Sequence, residues 1–193
     1  MIKKVLFFVI SAAIFSSCYA QEDSTLKRNQ ISTNLILPFL ESVDLSYERT
    51  IANKWAIGIA AAVYGEGGQD LAVSYTNEYD LTTTYEIMPF VRIYFQGAQN
   101  KSHFLEVFGS LSKMEERGAF VRNTNEEGFG VYERGLRDFT VGGLGIGYGY
   151  RFLFLEKKLV LEAQFGIRTN FDVDFFFLNA ALVRTGIKVG YRF

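Results

Sequence analysis

The final segment of the chain alternates between two kinds of side chain. Apolar residues, together with Thr185, occupy the odd positions from 181 to 193, whereas the even positions include Arg184, Lys188 and Arg192. A period of two places successive side chains on opposite faces of a β-strand. The segment is therefore predicted to be a strand with one apolar face and one face that carries three cations.

Residues 1–20 have the pattern of an export signal: a short basic start, an apolar run of about eleven residues and a stretch rich in small residues. An apolar core of this length is too short to span a bilayer. We therefore expect cleavage after Ala20, so that Gln21 begins the mature chain. The alternative is a lipoprotein signal in which Cys18 is lipidated.

Cleavage after Ala20 removes two lysines and no acid, which leaves 18 basic and 21 acidic residues and no cysteine. This balance gives no reason to expect nucleic acid as a partner. The mature chain has neither a disulfide framework nor a thiol nucleophile. Because no apolar run of 18 or more residues follows the signal, no helical membrane span is predicted.

Eight segments of the mature chain alternate in the manner of strands. They are residues 30–37, 43–50, 55–64, 82–95, 103–113, 138–152, 158–168 and 180–193. The connections between them alternate in length. Short polar turns cover 51–54, 96–102 and 153–157, and long connections cover 65–81, 114–137 and 169–179. An even number of strands, with short turns at one end and long loops at the other, is typical of outer-membrane barrels.

Two motifs give the chain a resemblance to a known family. The terminal segment Val189-Gly190-Tyr191-Arg192-Phe193 ends on an aromatic residue, and residues 89–95 read P-x-x-R-x-Y-F. Through these two motifs, most of the segment 30–193 resembles the small eight-stranded outer-membrane barrels of the OmpA/OmpX-type β-barrel domain. The resemblance implies that Tyr191 and Phe193 form an assembly signal for the barrel-assembly machinery.

The predicted architecture is an all-β, eight-stranded antiparallel up-and-down transmembrane barrel with short periplasmic turns and long extracellular loops. Residues 1–20 form the signal peptide, 21–29 a short periplasmic segment, and 30–193 the barrel. Pro89 is expected to cause a bulge or local break, since proline cannot donate to a strand ladder.

The interior follows from the alternation, because an apolar face turned to lipid leaves the polar face in the lumen. The predicted lumen charges are Asp44, Glu48, Glu86, Arg92, Glu106, Arg151, Glu162, Arg168, Arg184, Lys188 and Arg192. Eight strands enclose only enough space for side chains. We therefore expect a paired charge network, with a narrow ion or solute path as the alternative.

Two further expectations concern small and aromatic residues. The glycines at 143, 145, 147 and 149 share the inward face, where they are expected to make room for long charged side chains from across the lumen. Aromatic girdles are expected near both interfaces. Trp55, Phe95, Phe104, Phe152 and Tyr191 are assigned to the short-turn end, and Tyr64, Phe171 and Phe175–Phe177 to the long-loop end.

The sequence gives little support for catalysis. A lipid-modifying enzyme needs a nucleophile and a base near the outer leaflet, but His103, the one histidine, lies beside a short turn. No cofactor and no transition-metal ligand spacing is predicted. The favoured function is a non-enzymatic, structural or surface-interaction barrel in the bacterial outer membrane. The alternatives are a narrow transport or gating barrel and, more distantly, a lipid-modifying enzyme. Expected partners are membrane lipid, lipopolysaccharide and an unidentified surface ligand, with the barrel itself a monomer.

Overall fold

The computed structural model describes residues 26–65, 80–124, 128–171 and 182–193. Its strands are β1 (Asn29–Asn34), β2 (Val43–Thr50), β3 (Trp55–Val63), β4 (Asp80–Tyr94), β5 (Ser102–Thr124), β6 (Gly130–Phe154), β7 (Leu159–Asn170) and β8 (Leu182–Arg192). A 3-10 helix, Leu37–Leu40, lies between β1 and β2. The signal segment with Cys18, most of two predicted long loops and Phe175–Phe177 lie outside the described residues. No helix in the described ranges is long and apolar enough to cross a membrane.

The eight strands form a closed barrel in which each strand is antiparallel to its neighbours in the chain. Closure comes from β1 and β8, which pair from Gln30 with Arg192 to Asn34 with Lys188. Closure leaves no strand edge unpaired around the ring, the arrangement that a sheet needs in a medium without water. The prediction of an all-β, closed, eight-stranded antiparallel up-and-down barrel is confirmed.

Six of the eight strands have bounds within three residues of the predicted segments, but the prediction for β5 and β6 was wrong. Residues 114–137 were expected to form a long loop. Instead, β5 and β6 continue as a hairpin, with pairs from Met114–Phe139 to Thr124–Gly130. The apolar alternation ends near residue 113, which suggested a loop. A hairpin outside a bilayer needs backbone hydrogen bonds but no apolar face.

Pro89 produces the local break that was expected. The β4–β5 ladder pairs Ile87 with Leu111 and Phe90 with Phe108, but forms no pair at the two positions between them. The register is the same on both sides of this gap, so no residue is inserted. The one bulge in the described ladder of these two strands occurs at Thr84, between the Thr83 and Tyr85 pairs. Proline has no backbone N–H to donate, and the ladder is interrupted only on the side of β5. On the other side, Pro89 still pairs with Ile59 of β3.

Two faces of the barrel wall have opposite chemistry. On the outside, Val107 is 58% exposed and Ile146 is 61% exposed, whereas Arg92 on the inside is 2% exposed. The alternation visible in the sequence therefore sorts apolar side chains outward and charged side chains inward, the reverse of a water-soluble fold.

The inward glycines have a different neighbour from the one expected. A Cβ atom at Gly145 would collide with the ring of Phe108, and one at Gly149 would collide with the ring of Phe104. Both rings come from the adjacent strand β5 and not from across the lumen. Of the four, Gly147 alone faces a charged residue, with Glu106 Cβ 3.5 Å from the position of an added Cβ. The absent side chains thus make room mainly for aromatic rings that lie along the barrel wall.

Candidate functional site: the charged lumen

Ten of the eleven predicted lumen charges are buried, and the eleventh, Arg184, is half-buried. They come from β2 and from β4 to β8, and the period of two turns each of them toward the barrel axis. Ion pairs link ten of them into one large cluster and two smaller groups.

The large cluster lies toward the short-turn end and centres on Arg92 and Arg151. Arg92 contacts Glu48 at 2.8 Å, Glu106 at 2.6 Å and Glu162 at 3.0 Å. Arg151 lies 2.7 Å from both Glu48 and Glu162. Each carboxylate is therefore shared between cations, which is the condition under which buried ions are tolerated.

Aromatic rings lie against the two guanidinium groups. Arg92 Cζ lies 4.4 Å from the ring centroid of Phe104 and 4.7 Å from that of Phe90. Arg151 Cζ lies 4.2 Å from the centroid of Tyr94. The Tyr94 hydroxyl also donates to Glu48 over 2.9 Å. These contacts combine cation–π attraction with charge-assisted hydrogen bonds.

Two smaller groups lie toward the long-loop end. Arg168 pairs with Glu86 at 2.5 Å, and the Tyr64 hydroxyl donates to the same carboxylate over 3.0 Å. Lys188 Nζ lies 3.2 Å from Asp44. Arg184 pairs with Glu106 at 2.5 Å and so joins this end to the large cluster. The interior is filled by charge along most of its length.

Arg192 is the exception among the predicted charges, because it binds neutral oxygens. It donates to the carbonyl of Lys27 over 2.7 Å and to the side chain of Gln99 over 3.0 Å. Gln99 belongs to the turn between β4 and β5, which folds inward so that Ala98 is completely buried. Arg192 therefore helps to hold this turn across the short-turn mouth of the barrel.

Sequence reasoning missed the aromatic lining and misplaced Phe104. Phe104 was assigned to an outer girdle, but it is 1% exposed and packs against Tyr94 with ring centroids 5.5 Å apart. The signal was present in the sequence, because Phe104 has the parity of Glu106 and Tyr94 has the parity of Arg92. The aromatic character of these residues suggested an interface, whereas parity decides the face.

The predicted assembly residues lie on the outside. Tyr191 is 55% exposed and Phe193 51% exposed, and their rings stack with centroids 6.5 Å apart. His103 also points outward, beside the short-turn end, where its Nδ1 lies 2.6 Å from the Tyr148 hydroxyl. The structure thus separates these three residues from the lumen cluster.

A family described as a protein of unknown function (DUF3575) matches residues 5–171. The chain belongs to this family. No curated protein matches the chain.

Three solved structures are similar to this member of the family. Neisserial surface protein A (NspA) is 14% identical, with a TM-score of 0.48, and the match covers 86% of this chain and 95% of that one. A major outer membrane protein from Thermus thermophilus is 8% identical, with a TM-score of 0.46 and coverage of 86% and 99%. The Yersinia pestis outer membrane protein Ail is 14% identical, with a TM-score of 0.38 and coverage of 87% and 100%.

Proposed function

We propose that this protein is a monomeric, non-enzymatic barrel of the bacterial outer membrane with a structural or surface-interaction role. In this proposal residues 1–20 are removed on export and residues 21–29 remain in the periplasm. The barrel-assembly machinery recognises Tyr191 and Phe193 during insertion. The long-loop end faces the cell exterior and carries whatever contacts the protein makes there.

One observation carries the proposal: every strand of the closed barrel presents large apolar side chains to the surroundings. Representative exposed residues are Ile31, Leu45, Ile57, Val91, Val107, Ile146, Ile167 and Ile187. A continuous apolar surface of this extent is unfavourable in water and is the expected outer surface of a barrel in lipid. With charge inside and apolar groups outside, the fold suits a bilayer.

The packed interior argues against transport. The mouth at the short-turn end is closed by Ala56, Tyr94, Ala98 and Phe104, which form one buried cluster. Above it lies the Arg92–Arg151 cluster, whose carboxylates are already paired. A crevice bordered by Glu106, Gln164 and Arg184 is too small for a water molecule. An ion would have to break buried pairs in order to pass.

The β5–β6 hairpin supports a role at the surface. β6 pairs with β7 only as far as Gly143–Asn170, whereas it continues with β5 to Gly130–Thr124. The β5–β6 hairpin therefore extends beyond the described end of β7, Asn170. An element that extends beyond the ring adds nothing to barrel closure, so its length is available for contact with other molecules.

The test is the conductance of the purified, folded protein in a planar bilayer. We expect no steady conductance in the wild-type protein, because the lumen is filled. A stable open level would contradict the proposal and favour the narrow transport or gating barrel. In parallel, we expect no lipid hydrolase or acyltransferase activity. Activity that disappears in His103→Ala would overturn the non-enzymatic assignment.

A further inference from the structure

Exposed cations collect at the short-turn end of the described barrel. At the short-turn end, five exposed cations surround the barrel. This basic rim consists of Arg49, Lys54, Lys101, Lys157 and Lys158. The turns that carry them contain one exposed acid, Glu156. In the sequence, the connections 65–81 and 171–181 contain six acids and no lysine or arginine.

The cations of the basic rim have no carboxylate partner within the described part of the chain. The ion pairs there connect lumen residues, apart from Lys113 with Asp138 at the long-loop end. Lys101 Nζ instead lies 6.0 Å from the ring centroid of Phe154. Among the described residues, no ion pair therefore neutralises the positive charge of the rim.

Arg49 shows that the rim is continuous with the lipid-facing surface. It is exposed on β2, where Glu48 and Thr50 on either side are buried, so it points outward from the barrel wall. Its cross-strand partner is Ile57, which is 43% exposed on the apolar belt. A cation on this face lies where long side chains extend from the hydrocarbon boundary toward the headgroups.

The β6–β7 turn brings apolar and cationic groups to the same level. Leu155, Glu156 and Lys157 all have left-handed backbone angles, with φ of 48°, 54° and 65°. Non-glycine residues adopt this conformation at an energetic cost, and strain of this kind is often found at functional sites. The turn leaves Leu155 72% exposed next to Lys157 and Lys158. An apolar tip beside two cations suits the boundary between acyl chains and anionic headgroups.

We propose that the basic rim binds the phosphate groups of anionic phospholipids in the leaflet at the short-turn end. Charge complementarity and continuity with the apolar belt both favour lipid over a soluble partner. Clusters of lysine and arginine beside a membrane surface attract anionic lipid in this way. This inference rests on the proposed membrane location.

Trp55 allows a direct test, because it is the only tryptophan and it follows Lys54 at the start of β3. The folded protein is placed in phosphatidylcholine vesicles that contain a fixed minor fraction of phosphatidylglycerol, with either one lipid or the other brominated. Bromine quenches the fluorescence of a nearby indole. We expect anionic lipid to be enriched about threefold around Trp55 at low salt, and the enrichment to fall as salt is raised.

The variant Arg49→Gln/Lys54→Gln removes the two rim cations nearest to Trp55 in the sequence. It should lose the enrichment, whereas Lys113→Gln/Arg137→Gln, with the same change of charge at the other end, should keep it. Equal quenching by both lipids in the wild-type protein would overturn the inference and leave the membrane location intact. No quenching by either lipid would overturn the proposed function itself. If both lipids quench equally, and the protein sediments with isolated cell wall only when its rim cations are present, the rim binds an anionic polymer instead.

Discussion

At the scale of single residues, Glu162 shows why the lumen charges depend on one another. Its carboxylate is fully buried and accepts hydrogen bonds from Arg92, Arg151 and Gln30. Removing that negative charge would leave two buried guanidinium groups with one anion fewer. The penalty arises from the charges that remain, and not only from the contacts that disappear.

Glu162→Gln should therefore lower the free energy of unfolding by about 3–5 kcal/mol, the usual cost of breaking a buried ion pair. The measurement is urea unfolding of the protein in lipid vesicles, followed by the fluorescence of Trp55. Glu156→Gln is the matched control, because it makes the same change at an exposed turn position. A loss of equal size in both variants would refute the interdependence of the lumen charges.

Gly145 and Gly147 offer a second comparison at this scale. Both face the lumen on β6, but an added Cβ would collide with Phe108 at the first position and make an ordinary 3.5 Å contact at the second. Gly145→Ala should cost about 1–3 kcal/mol through overpacking, and Gly147→Ala should be close to neutral. Unfolding in vesicles distinguishes them. A near-neutral Gly145→Ala would show that the Phe108 ring and the Ile167 carbonyl can both move aside.

At the scale of strands, the cost of an arginine on the outer face should depend on its depth in the bilayer. Ile187 is 45% exposed on the outer face of β8, and Ile51 is 51% exposed in the short turn before β3. An arginine near the bilayer midplane costs about 2–4 kcal/mol, whereas one near the interface costs about 0–1 kcal/mol. We expect Ile187→Arg to impair folding into vesicles and Ile51→Arg to leave it nearly unchanged. Equal tolerance would mean that the outer face does not contact lipid.

The β5–β6 hairpin gives a prediction for a whole element. Replacing residues 118–135 with Asn-Gly would leave Arg117 opposite Leu136, the pair that precedes the register shift in this hairpin. The barrel should still fold, because the removed part of β5 pairs only with β6 in the described structure, and Asn-Gly favours a tight hairpin turn. Any binding of the intact protein to cells or surfaces should be lost. Failure of the shortened barrel to fold would assign the hairpin a role in closure.

How far the sequence predicts each strand depends on what the strand faces. The alternation of β8 can be recognised in the sequence because one side is apolar and exposed and the other faces the charged lumen, so every second residue is constrained. The outer parts of β5 and β6 are strands through their backbone pairing alone, and their sequence does not alternate between apolar and polar residues. Phe104 was misplaced for another reason: aromatic rings occupy both interfaces and interiors, and only its parity with Glu106 separates the two. The inward turn around Ala98 depends on contacts that are distant in sequence.

At the scale of the whole molecule, an apolar exterior, a charge-filled interior and a basic rim all fit the location that we propose, the outer membrane. The first two features suit a closed ring surrounded by lipid. A closed barrel that is held by strand pairing around the whole ring and by buried ion pairs should also resist detergent at room temperature, since unfolding has to expose all of them together.

The most direct test of the central claim is the electrophoretic mobility of the protein from the outer-membrane fraction, with and without boiling in detergent. The account predicts that the protein fractionates with the outer membrane and migrates faster when unboiled, because the compact barrel survives until it is heated. Recovery as a soluble periplasmic protein, with one mobility under both conditions, would contradict it.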